Sequence, residues 1–213
     1  MLLGDSHASV LSGSFAKNFD LQGIRLVSIA GPGCHPLLFV PPPEASRLGE
    51  CASRIPAFNR LLVGPPPVAF VIISANWGYS DQSARLLSDL IVEFDPVRTR
   101  ILLIGQVPTF LKSSLECVVL SDRFGAGRGR CVRRRSDFEA ERAAMADVLR
   151  ALPGRFQNVR YIDPIDTFCD DTVCRPFRND DVFYSDTHHV LPSGADRIYD
   201  AFKNDFLWLA GRE

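Results

Sequence analysis

Short, unbroken apolar runs alternate along this chain with longer stretches whose apolar residues recur every three or four positions. The runs at 1–3, 24–29, 68–73, 101–104 and 159–162 are strand-sized. The run Val68-Ala69-Phe70-Val71-Ile72-Ile73 has no polar alternation, as a strand buried on both faces should have none. Helical spacing covers 8–19, 46–63 (with a bend at Pro56), 83–94 and 195–209, the last with Ile198, Phe202, Phe206 and Leu209 on its inner side. Ser136-Asp137-Phe138-Glu139 reads as a capping box, in which hydroxyl and carboxylate each satisfy a free N–H at a helix start. Phe138, Met145, Val148, Leu149 and Leu152 then share one face, and Pro153-Gly154 ends the helix. Gly31-Pro32-Gly33, Pro41-Pro42-Pro43 and Pro65-Pro66-Pro67 punctuate the pattern as turns and stiff loops.

Five apolar strands separated by helices predict an α/β fold: a three-layer sandwich with a five-stranded parallel sheet and helices on both faces. A chain of 213 residues suits one such domain, spanning 1–213. In these sheets, sites form at the carboxyl ends of the strands.

Composition narrows the picture. A net charge of −1 supplies no global field to recruit nucleic acid. The basic run Arg128, Arg130, Arg133, Arg134 and Arg135 reads as a solvated loop leading into a helix. No stretch reaches the apolar length of a membrane span, and the first ten residues are too short and polar for a signal peptide. Taken alone, those features describe a cytoplasmic chain. The six cysteines point the other way. Their order suggests local disulfides, Cys34–Cys51, Cys117–Cys131 and Cys169–Cys174, although six cysteines allow fifteen pairings. A metal site is disfavoured by the lack of any CxxC pair, and buried free thiols are the third reading. A domain cut from a larger exported or membrane-tethered protein would reconcile the two signals.

The chemistry sits at predicted strand ends. Ser6, in Gly4-Asp5-Ser6-His7, directly follows the first strand and opens the first helix. That position presents its hydroxyl and its backbone N–H to a ligand, and it is equally the place for a helix N-cap. A serine nucleophile needs a base. Asp186-Thr187-His188-His189 supplies one: the D-x-x-H spacing lets Asp186 hold one nitrogen of His189 while the other faces a hydroxyl. His188 reads as a neighbour with a loop or capping role. Asn76 follows the central strand and can offer an amide donor to an oxyanion, or serve as a turn residue. Gly31 can bring a backbone N–H to the same rim, with Gly33 a near-equal choice.

Gly4-Asp5-Ser6-His7, Ser74-Ala75-Asn76-Trp77 and Asp186-Thr187-His188-His189, in that order, resemble three sequence blocks of the SGNH/GDSL hydrolase superfamily. The second block departs from the G-x-N-D pattern, with Ser74 and Trp77 replacing the glycine and the aspartate. The GDSH variant, Cys34-His35-Pro36, Trp77, the short Cys169-to-Cys174 loop and Pro192-Ser193-Gly194-Ala195 are similar to the SGNH domain fused to acyltransferase-3 membrane proteins. The resemblance implies a flavodoxin-like SGNH fold and a triad of Ser6, Asp186 and His189. It also implies an oxyanion hole of Ser6, Gly31 and Asn76, with no cofactor and no resident metal. It further implies O-acyl transfer, with acetyl the expected group, to a cell-surface glycan. The partner would be an acyltransferase-3 membrane domain, in cis or in trans, at the periplasmic or extracytoplasmic face of the inner membrane. A carbohydrate esterase using the same residues, or a non-catalytic glycan-binding domain, are the competing functions.

Overall fold

The structure is a computed structural model that describes residues 1–40, 49–78, 81–114, 116–117, 131–179 and 181–212. Its centre is a parallel sheet of β1 (Leu2–Gly4), β2 (Phe70–Ser74), β3 (Arg100–Ile104) and β5 (Val159–Ile162), adjacent in that order. Because side chains alternate across a strand, each continuous apolar run feeds two cores at once. Leu2, Ile72, Leu102, Ile104 and Ile162 face one layer, packing with Phe15 and Phe19 of α1 (Ser6–Asp20) and with Ile198, Phe206 and Leu209 near the C-terminus. Leu3, Val71, Ile73, Ile101, Leu103 and Val159 face the other. There they meet Phe58 of α2 (Ile55–Val63), Leu87 and Leu90 of α3 (Asp81–Val92), and Met145 and Leu149 of α4 (Arg135–Ala151). The absence of alternation in the sequence thus has its cause: neither face of the sheet sees water.

The sheet has four strands, not the five predicted from the apolar runs. The run at 24–29 does lie along the free edge of β1, where Leu2 N donates to Val27 O and Ile29 N to Leu2 O, both at 2.8 Å. It forms one isolated bridge, Leu2 to Ser28, because β1 is only three residues long and offers few backbone groups on that side. Arg25 and Val27 are exposed while Ile24 and Leu26 are half-buried, the pattern of a sheet edge.

Other boundaries shift for local reasons. The helix predicted over 46–63 begins at Ile55; residues 46–48 lie outside the described residues, as does the Pro41-Pro42-Pro43 loop. Pro56 does not bend it but sits in its first turn, where a missing N–H costs nothing. The capping box at Ser136 does not form. Arg134 is the N-cap, without a side-chain bond, and is held extended in β4 (Arg133–Arg134), which pairs antiparallel with β6 (Val173–Cys174). Glu139 binds the Arg135 Nε at 2.9 Å instead. The closing helix is broken at Phe202 (φ −115°, ψ 28°) into α6 (Pro192–Ala201) and α7 (Lys203–Leu209), yet Ile198, Phe206 and Leu209 still face the core.

All three local disulfides are formed, and none of the six cysteines is free. Of the basic run, Arg128 and Arg130 lie outside the described residues, while Arg133 pairs with Glu141 and Arg135 with Glu139 and Asp166. No described helix is long and apolar enough to cross a membrane.

One ion pair fastens α4 to the end of β5. Arg142, buried, grips Asp163 with both guanidinium nitrogens at 2.6 and 2.8 Å and lies over the Phe138 ring. Removing one partner strands the other charge, so Asp163→Ala is expected to cost about 3 kcal/mol of stability, read as a lower urea midpoint.

Candidate active site

Gly4, at the end of β1, has φ 153°, and a Cβ there would fall 1.8 Å from the Ser74 carbonyl oxygen. Only glycine lets β1 approach β2 so closely and turn at once into α1. Asp5 then caps the helix, a role the sequence left open to Ser6, by accepting the His7 N–H at 2.8 Å. Its other oxygen accepts the Asn76 N–H at 2.9 Å, so one carboxylate ties the turn after β1 to the turn after β2. Ser6 becomes the first residue of α1, and no described group accepts from its backbone N–H.

The turn before α6 is pinched shut. Tyr184 bridges to Val190, and Ser185 donates both its N–H (2.9 Å) and its hydroxyl (3.2 Å) to the His189 carbonyl. The Asp186 carboxylate fills the loop, accepting the N–H groups of His188 at 2.8 Å and His189 at 2.7 Å. Its second oxygen lies 2.7 Å from His189 Nδ1, and His189 Nε2 lies 2.8 Å from the Ser6 hydroxyl. Partial burial alone would raise the Asp186 pKa, but the two backbone N–H groups and the His189 ring outweigh it and lower the carboxyl to about 2. Asp186 is therefore ionised at neutral pH and favours the tautomer of His189 that carries its proton on Nδ1. The bare Nε2 can then take a proton from Ser6.

Asn76 is held by its neighbours. Beyond the Asp5 contact, Gln106 Nε2 donates to its Oδ1 at 3.0 Å, and among the described residues the Asn76 Nδ2 has no acceptor. Burial lowers the His35 pKa, while the Asp5 carboxylate and the Asn76 backbone oppose the change. Trp77, standing where the superfamily block has an aspartate, is buried, donates from Nε1 to the Ile104 carbonyl at 2.8 Å and meets the His35 ring edge to face. It staples the tips of β2 and β3. Gln106 was missed in the sequence, although its place two residues past β3 is where the strand-end rule looks.

Gly31 behaves differently from its sequence role. Its N–H donates to the Gly4 carbonyl at 3.1 Å and so is already engaged. The Gly33 N–H has no acceptor among the described residues.

His7 is buried against the rim, its ring centroid 5.4 Å from that of His188 and 5.0 Å from that of His189. Burial lowers its pKa to about 4, with Asp5 opposing and the two other histidines adding to the drop. The unfolded chain takes up this proton near pH 6.5, whereas the folded protein refuses it until about 4. Stability is thus fully present above pH 6.5 and declines as pH falls toward 4, by on the order of 2 kcal/mol. Urea titrations at the two pH values should show this drop, and His7→Gln should reduce it.

A groove of about 410 Å³ lined by Met1, Arg25, Arg60, Pro66 and Phe70 lies at the amino ends of β1 and β2, away from Ser6. Grooves of about 600 and 440 Å³ elsewhere are likewise not lined by Ser6, so cavity volume does not mark the site. The chemistry gathers at the carboxyl ends, as open α/β sheets require.

A family model of the SGNH domain fused to AT3 domains matches residues 1–204. The chain belongs to this SGNH family. SGNH enzymes act on esters or acyl groups, and this chain is one of them. Among solved structures, it is similar to the periplasmic domain of a lipopolysaccharide acetyltransferase from Salmonella ser. Paratyphi A. The two share 16% identity and a TM-score of 0.67, over 97% of this chain and 82% of that one. It is also similar to a Streptococcus pneumonia protein assigned by name only to platelet activating factor. That pair has 13% identity and a TM-score of 0.52, over 96% of this chain and 81% of that one. Both likenesses are of fold. No curated protein matches the sequence.

Proposed function

We propose that this SGNH domain transfers an acyl group, acetyl by preference, from an ester donor to a hydroxyl of a cell-surface glycan through an acyl-enzyme at Ser6. The observation that carries the reading is the unbroken chain of contacts from Asp186 to His189 (2.7 Å) to Ser6 (2.8 Å). His189 removes the hydroxyl proton as Ser6 Oγ bonds to the ester carbonyl carbon. The Ser6 N–H and the Asn76 Nδ2 stabilise the tetrahedral oxyanion. His189 then protonates the leaving alcohol as the C–O bond breaks. A second hydroxyl, deprotonated by His189, attacks the acyl-serine; the bond from the acyl carbon to Ser6 Oγ then breaks, His189 returns the proton to Ser6 Oγ, and the ester product leaves. Gly31 joins the oxyanion hole only by giving up its bond to Gly4, so Ser6 and Asn76 are the two donors in this mechanism.

Support for the glycan and for an extracytoplasmic location comes from the AT3-fused family and from three paired disulfides, which persist in oxidising compartments. An AT3 membrane domain, in cis or in trans, is the partner that would deliver the donor. The deciding experiment compares acetyl release from an ester donor with and without added oligosaccharide. Oligosaccharide that speeds release and becomes acetylated supports transfer. Release unaffected by it, with free acetate as product, makes the domain an esterase.

Asn76→Ala should lower kcat about a hundredfold or more, the cost of one oxyanion donor. Gln106→Ala should lower it less, because the amide stays but loses its orientation; steady-state kinetics on a soluble acetyl ester reads both.

A further inference from the structure

Three imidazoles meet at the site, and acyl transfer uses only one of them. One ring nitrogen from each of His7, His188 and His189 can be chosen so that all three lie within 4.8 Å of one another. Two of these rings have Nδ1 engaged by a neighbouring oxygen, as metal-binding histidines do, and the Nε2 of His189 faces the Ser6 hydroxyl at 2.8 Å. His189 Nδ1 lies 2.7 Å from Asp186, and His188 Nδ1 lies 2.9 Å from the Thr187 hydroxyl. The third, His7, is buried, and its Nε2 has no hydrogen-bond partner among the described residues. A buried ring nitrogen without a partner is a group that a ligand can satisfy.

We propose that these three histidines form an inhibitory site for Zn²⁺, which captures the nitrogen of His189 that otherwise faces Ser6. Neutral imidazoles suit a borderline-soft cation and not a hard one such as Mg²⁺. A tetrahedral zinc with bonds of about 2.0–2.1 Å holds its nitrogens about 3.4 Å apart, so the rings must close inward by little more than about 1 Å. The half-exposed His188 ring is free to make most of that movement. The fourth position stays open to water or to the Ser6 hydroxyl. Zinc and general-base catalysis then exclude each other, since both need the His189 Nε2 lone pair. Inhibition is reversible, and removal of the metal restores activity.

The inhibitory consequence rests on the proposed role of His189, but the binding does not. Zinc chloride is therefore titrated calorimetrically into the whole domain carrying Ser6→Ala, which reads binding without turnover. The expected result is one zinc per chain, with Mg²⁺ silent. Adding His188→Ala or His188→Asn should weaken zinc at least about tenfold, the smallest effect seen even for outer partners of metal ligands. Both changes replace a half-exposed side chain and keep the backbone N–H that Asp186 binds. On the wild type, the same zinc range should block acetyl-ester turnover, with recovery on adding EDTA. Zinc binding that depends on His188 in a protein with no esterase activity would uphold the metal site and defeat the catalytic reading. Turnover indifferent to zinc, or zinc affinity unchanged by both His188 substitutions, would overturn the inference.

Discussion

Replacing Ser6 with alanine will reduce acetyl-ester turnover by about a millionfold, to the background of the solution reaction plus whatever binding and the oxyanion donors supply. The size follows from the geometry. Ser6 Oγ lies 2.8 Å from His189 Nε2, where the relay meets its hydroxyl. Alanine removes the nucleophile and leaves the base with nothing to deprotonate. His189→Ala should fall nearly as far, and the double variant no further than Ser6→Ala, because the residues act as one unit. Neither change touches the Asp5 cap or the Gly4 approach that shape the turn, so the melting temperature should stay close to that of the wild type.

Asp186→Asn is the second large effect, a loss of about ten-thousandfold in kcat. The asparagine still has an oxygen able to accept the N–H groups of His188 and His189, so the pinched loop should survive. What changes is the atom facing the His189 Nδ1. If the asparagine oxygen takes the two backbone N–H groups, its NH₂ points at Nδ1, and the ring proton moves to Nε2, the wrong nitrogen for a base. The ring stays in place while its chemistry fails. Kinetics at saturating acetyl ester should show the loss in kcat with KM little altered. Rising pH should not restore activity, because the defect is a tautomer and not a charge state.

The contacts joining Ser6, His189 and Asp186 were legible because each half of them is a local event. Gly4-Asp5-Ser6-His7 and Asp186-Thr187-His188-His189 each carry their geometry within a few residues, and the strand-end rule supplies the meeting point. Apolar runs gave the strands well, since burial on both faces leaves no polar residue in them. What escaped depends on distant partners. Gln106 is an ordinary glutamine until Asn76, thirty residues earlier, comes beside it. His7 is one residue from Ser6, yet two of the rings beside it, His188 and His189, come from the far end of the chain. The fifth strand failed as a strand because of the shortness of β1, which no property of residues 24–29 reveals. The capping box lost to the pairing of Arg134 with Val173, a contact across 39 residues. The break at Phe202 carries no glycine or proline to announce it.

The central claim is that Ser6 is a nucleophile activated by His189. A fluorophosphonate probe, with the labelled peptide mapped by mass spectrometry, tests it most directly. The wild type should carry the label on Ser6, Ser6→Ala should carry none, and His189→Ala should label far more slowly. Label absent from the wild type, or found on another residue with Ser6 unmodified, would contradict the account.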